Sequence, residues 1–207
     1  GPAGAAGAAG KDAPLPAGVA RELAPALEVS KPANGPHFVA GQAPVVTLTL
    51  KDTLGKAFSK DDFASLNLYM YGPQEPPKTK TALKMLNATG DRSKTPHHYI
   101  DLLKNPDAKF TGNTVTYNLK PVSDEQPGTY TVSVFAVSKA SGLQQAFPLA
   151  DLQVGTATVE KQIVDQSKCA QCHLGADSGK FYFHHIDPGR SPTGNWAIDS
   201  DPVRTCK

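Results

Sequence analysis

The chain has 207 residues, enough for one substantial domain and a smaller piece. Hydrophobic residues make up 39% and charged residues 19%, the composition of a folded globular protein and not of a disordered one. A formal net charge of +2 gives no field that calls for nucleic acid or an anionic surface, and no apolar run approaches the roughly 20 residues of a transmembrane helix.

Residues 1–22 open with GPAGAAGAAGKDAPLPAG, where Gly1, Gly4, Gly7 and Gly10 keep the three-residue period of collagen. The run is too short and too poor in proline to hold three chains together, so it predicts a collagen-like, flexible Gly/Ala tether. The chain begins without an initiator Met and stops at RTCK, and it is expected to be a piece of a longer precursor.

Residues 23–159 read as short alternating runs divided by turn residues. In PVVTLTLKD, Val46, Leu48 and Leu50 share one face, and in LNLYMYG, Leu66, Leu68 and Met70 do the same. NTVTYNLK offers Val115, Tyr117 and Leu119, and GTYTVSVFAVS offers Tyr130, Val132, Val134 and Ala136. Such period-2 runs, rich in Val, Thr and Tyr, predict half-buried antiparallel strands. ALEVS and LADLQVGTATVE are expected to be edge runs, with turns at PANG, TLGK and EQPG. The fold class is therefore mainly β, a Greek-key Ig-like β-sandwich or a short split barrel. In EQPGTYTVSV a Pro-Gly turn feeds a strand whose early tyrosine can hydrogen-bond back across a corner. Between Gly72 and Lys109, HHYIDLLKN reads as a short helix over one end of the sandwich, with His97 and His98 facing solvent.

Residues 160–207 lose the strand pattern. The stretch SKCAQCHLG is expected to be helical around its cysteines, and the remainder is loop-rich. A long irregular segment cannot offset its ordering entropy from a small core, and a covalent cofactor would hold it. The three cysteines, Cys169, Cys172 and Cys206, all lie here, which is not the dispersed pattern of a disulfide scaffold.

Cys169, Cys172 and His173 form CxxCH. Thiols at i and i+3 on one helical turn can each bond a vinyl group of one porphyrin, with the next residue, His173, as an axial iron ligand. A zinc site would need four tetrahedral ligands, with Cys206 or His184 completing the set, and adjacent Cys172 and His173 do not easily converge on one small ion. A thiol–disulfide motif would open a helix after a strand in a βαβ unit, and no such unit is visible. The spacing thus points first to haem c. Cys206 would open a second motif, Cys206-Lys207-x-Cys-His, severed by the end of the sequence; the other reading is an isolated thiol.

FYFHHID supplies His184 and His185, either of which could be the second axial ligand of a low-spin iron or a surface histidine. Phe181, Tyr182, Phe183 and Trp196 could pack on a porphyrin or fill a small core, and Arg190 and Arg204 could pair with propionates or with water.

Taken in order, a Gly/Ala leader, a β-sandwich or split barrel, and then CAQCH…FYFHHIDPGR…RTCK resembles the outer-membrane decahaem c-type cytochromes of metal-reducing bacteria, the OmcA/MtrC type. Specific motif matches fall in the last 40 or so residues. The resemblance implies a surface lipoprotein at the outer membrane or in the periplasm that passes electrons along bis-histidine haems to metal oxides or flavins. It implies other multihaem cytochromes or a porin–cytochrome conduit as partners. By the same match Cys169, Cys172 and His173 hold the first haem, with His184 or His185 as a distal ligand. Nine of ten haems would lie outside this sequence, and any terminal reductase activity would belong to the full-length protein. The rival reading is a tethered Ig-like adhesion module with a zinc-stapled end; a peroxidase-like haem would need an open sixth position, against which the paired histidines argue.

Overall fold

The computed structural model describes residues 23–75, 78–79, 85, 99–139, 145–146 and 148–159. The strands are β1 (Ala26–Val29), β2 (Val45–Thr49), β3 (Phe63–Tyr71), β4 (Gln74–Glu75), β5 (Lys78–Thr79), β6 (Tyr99–Asp101), β7 (Lys109–Thr111), β8 (Thr114–Asn118), β9 (Gly128–Ser138), β10 (Gln145–Ala146) and β11 (Leu149–Val154). One sheet has the order β1-β2-β8-β7, and the second has β10-β9-β3-β6 with β11 also paired to β9. All the strand pairings are antiparallel. This is the A-B-E-D and G-F-C arrangement of an Ig-like Greek key, with β6 as an added edge strand. The described residues form a β-sandwich; of the two architectures expected, the split barrel is not the one they form.

The sequence alternation decides which side of each strand is buried. Leu48, Leu66, Leu68, Met70, Val132, Val134 and Ala136 are all 0% exposed and interleave between the sheets. Burying one such Leu, Val or Met side chain contributes about 1.5–3 kcal/mol before entropy is set against it. β10 and β11 form one edge broken at Pro148, which has no N–H to donate and still accepts from the Val134 N–H at 3.1 Å. Met85 also lies in this core at 0% exposure, and its carbonyl accepts from the Lys120 N–H at 2.8 Å.

HHYIDLLKN does not form the helix expected of it. His97 and His98 lie outside the described residues, whereas Tyr99–Asp101 pairs with Asn67–Tyr69 as a strand. Ile100 is 1% exposed opposite Leu68, so burial on the sheet outweighs local helix propensity. A single turn follows, in which the Asn105 N–H donates to the Asp101 carbonyl at 2.8 Å. Pro106 then disfavours helical geometry at Asn105. The run LADLQVGTATVE is likewise shorter as a strand than its length: β11 stops at Val154, where Gly155 takes φ +66.

Candidate functional site

The antiparallel registers give the sandwich two ends. At the lead-in end Leu23 bridges Asp52, and Phe63 on β3 lies opposite Ser138 on β9. At the exit end lie residues 30–44 between β1 and β2, residues 72–73 after β3, residues 119–127 before β9, and residues 155–159 after β11.

Three features close the exit end. Phe38 is 3% exposed and forms a parallel bridge with Val154, tying the β1–β2 connection to the edge of the other sheet. Its N–H donates to the Gln153 carbonyl at 2.8 Å, and its carbonyl accepts from the Gly155 N–H at 2.9 Å. Tyr130, 2% exposed, donates its hydroxyl to the Gln126 carbonyl at 2.6 Å, the corner bond expected of EQPGTY. Burial pushes the Tyr130 phenol up to about 12, and the nearby Glu125 carboxylate acts in the same direction.

The face of β9 opposite the core carries three buried polar residues, Thr129, Thr131 and Ser133, followed by Phe135 and Val137. Thr131 donates its hydroxyl to Asp151 Oδ1 at 2.7 Å, and the Gln153 amide donates to Thr129 Oγ1 at 2.9 Å. Further along, Tyr69 and Tyr99 pack with ring centroids 5.7 Å apart. Burial raises the Tyr69 phenol to about 12, partly offset by a hydrogen bond with Asn67.

Cys169, Cys172, His173, His184, His185 and Cys206 lie outside the described residues, as do Phe181, Tyr182, Phe183, Arg190, Trp196 and Arg204. The described residues contain no cysteine and one histidine, His37, whose Nδ1 is buried without a hydrogen-bond partner. Among the described residues no three His, Cys, Asp or Glu side chains are grouped as a metal site. No helix among them is long and apolar enough to cross a membrane. The donor set of Cys169, Cys172 and His173, two thiols and an imidazole in that order, fits covalent haem by its chemistry. The sequence reading missed the Phe38 bridge, because one buried aromatic in a Pro- and Gly-rich connection carries no periodic signal. Gly155 was the visible marker of the true end of β11.

The described residues thus define the protein as an Ig-like β-sandwich, and a CxxCH segment comes after it in sequence. No family model and no curated protein matches the chain. Among solved structures, MtrC from Shewanella baltica OS185 is similar, with a TM-score of 0.46 and 14% identity over 87% of this chain. The match covers 34% of the MtrC chain, so this chain spans about a third of that length.

Proposed function

We propose that the chain is the β-sandwich and first haem site of a multihaem c-type cytochrome that transfers electrons at the bacterial cell surface. The observation that carries this reading is CxxCH at Cys169, Cys172 and His173, in the segment directly after the sandwich. Cys169 and Cys172 would hold the haem through thioether links, and His173 with His184 or His185 would supply imidazole ligands to its iron. When bound, the haem supplies a one-electron ferric/ferrous couple. The chain's own residues would fix the iron ligation; no bond of a substrate is made or broken. Other multihaem cytochromes or an outer-membrane conduit supply the electrons, and metal oxides or flavins accept them.

The test is intact mass with an optical spectrum, on protein made in a periplasm competent for c-type maturation. The expected result is one added haem per chain with low-spin ferrous bands, lost on changing Cys169 and Cys172 together. A colourless product that carries zinc at these cysteines would overturn the reading in favour of a tethered binding module.

A further inference from the structure

We infer that Asn34–Gly35 is a self-modifying site: the Gly35 main-chain nitrogen displaces ammonia from the Asn34 carboxamide, and water opens the resulting ring to aspartate or isoaspartate. The site stands on described residues alone and owes nothing to the haem reading.

Asn34–Gly35 is the single Asn-Gly pair in the chain. The attack needs a main-chain nitrogen that can approach the side-chain carbon, and glycine has no Cβ to crowd that approach. Both residues are exposed, and a Cβ added at Gly35 would meet no atom within 4 Å. Neither the Gly35 N–H nor the Asn34 carboxamide makes a hydrogen bond. PANG is an open bend, so no ladder or turn bond has to break before the two groups meet.

The other described asparagines are held. Asn67 lies inside β3 with its side chain hydrogen-bonded to Tyr69, and the next residue, Leu68, is paired on both sides. Asn105 precedes Pro106, whose nitrogen carries no proton to give up, and its Oδ1 accepts from the Asp107 N–H at 2.8 Å. Asn113 donates through Nδ2 to the Leu50 carbonyl at 3.1 Å. Asn118 is followed by Leu119, whose N–H donates to the Pro44 carbonyl at 2.9 Å. In each case the nucleophile or the carboxamide is engaged, and at Asn34 neither is.

In the first step the bond from Gly35 N to Asn34 Cγ forms and the Cγ–Nδ2 bond breaks. Ammonia leaves with the Gly35 amide proton. Water then adds to one of the two ring carbonyls. Opening at Cγ gives aspartate; opening at the main-chain carbonyl gives isoaspartate, whose backbone runs through Cβ and Cγ and is one carbon longer. Water is the only co-reactant. Either product adds one carboxylate to a chain of formal charge +2. The change falls between two fastened points: Ser30, whose N–H donates to the Val45 carbonyl at 2.8 Å, and Phe38 in its bridge to Val154. The reaction therefore marks the age of the molecule on an exposed loop of the exit end, outside the core.

The experiment incubates the folded full chain at pH 8 and follows each asparagine by peptide mass mapping, with released ammonia assayed alongside. The expected result is a gain of one mass unit at Asn34 well ahead of Asn67, Asn105, Asn113 and Asn118, with one ammonia per conversion. The rate should rise with pH, because the deprotonated nitrogen attacks. Asn34→Gln should abolish the early gain while circular dichroism stays unchanged; a gain that persists in that variant overturns the assignment. The chain unfolded in urea is the reference. Asn34 in the folded chain should react within about tenfold of its urea rate, equivalent to about 1.4 kcal/mol on the barrier. A slower folded rate would show that the loop holds the two groups apart, and equal conversion at another described asparagine would show that the fold does not single out Asn34. Either result sinks the proposal.

Discussion

The Tyr130 hydroxyl lies 2.6 Å from the Gln126 carbonyl, joining the first turn of β9 to the loop that crosses from the opposite sheet. Tyr130 is buried, and the bond ties β9 to the segment where the chain changes sheets. Tyr130→Phe keeps the ring and removes the donor. It should cost about 1–2 kcal/mol, the net worth of a hydrogen bond plus partial exposure of its acceptor. Urea denaturation should show a lower midpoint at an unchanged slope. An unchanged midpoint would mean that water replaces the hydroxyl without loss.

The same tyrosine sets a pH limit. Tyr69 and Tyr130 have phenols raised to about 12 in the folded protein, against about 10 when unfolded. Between those values the folded state holds protons that the unfolded state releases, so stability falls as pH rises. The contribution is complete below pH 10 and is lost on going from 10 to 12. Denaturation at pH 8, 10 and 11.5 should give matching midpoints for the first two and a marked drop at the third. Tyr130→Phe should flatten that drop, and phenolate absorbance at 295 nm should rise together with unfolding. A Tyr130→Phe protein with the full wild-type slope would exclude this residue as a cause.

The core of the sandwich was legible because period-2 burial is written directly into a half-buried strand: Leu66, Leu68 and Met70 alternate with Asn67 and Tyr69, and the structure buries the first set between the sheets. The tyrosine corner was legible for a similar reason, since Pro127, Gly128 and Tyr130 are adjacent in sequence. Short elements were not. β6 spans three residues, too few to show a period, and its strand form is imposed by Leu68 and Tyr69 across the sheet. Phe38 was hidden for the same reason, its role being set by Gln153 and Gly155 more than a hundred residues away. The CxxCH reading is of another kind. It rests on the order of donor atoms at Cys169, Cys172 and His173, which sequence alone displays.

Gly128 and Pro73 form a coupled pair. A Cβ at Gly128 would fall on Pro73 Cβ and lie 2.9 Å from its Cγ, closer than real atoms approach. Gly128→Ala should therefore cost about 1–3 kcal/mol through forced displacement of the ring. Pro73→Gly clears the space, so the double variant should be more stable than the two single losses added together predict. A double-mutant cycle by urea denaturation reads the coupling. Additive losses would place the cost in the backbone at Gly128 and not in its contact with Pro73.

The sandwich should fold without the chemistry of the CxxCH segment. Its buried hydrophobic core is drawn from residues between Leu23 and Val154, and Cys169 and Cys172 lie beyond the last strand. Changing both cysteines to Ala should remove covalent haem and colour while leaving the urea midpoint of the β-sheet signal within about 0.5 kcal/mol of the parent, as for distant independent sites. The physical ground is that a ligand stabilises only the unit whose folded form binds it. A fall in that midpoint larger than about 1 kcal/mol would show that haem binding and the sandwich share one cooperative unit, and that residues 160–207 pack on the sheets strongly enough to be counted in their stability.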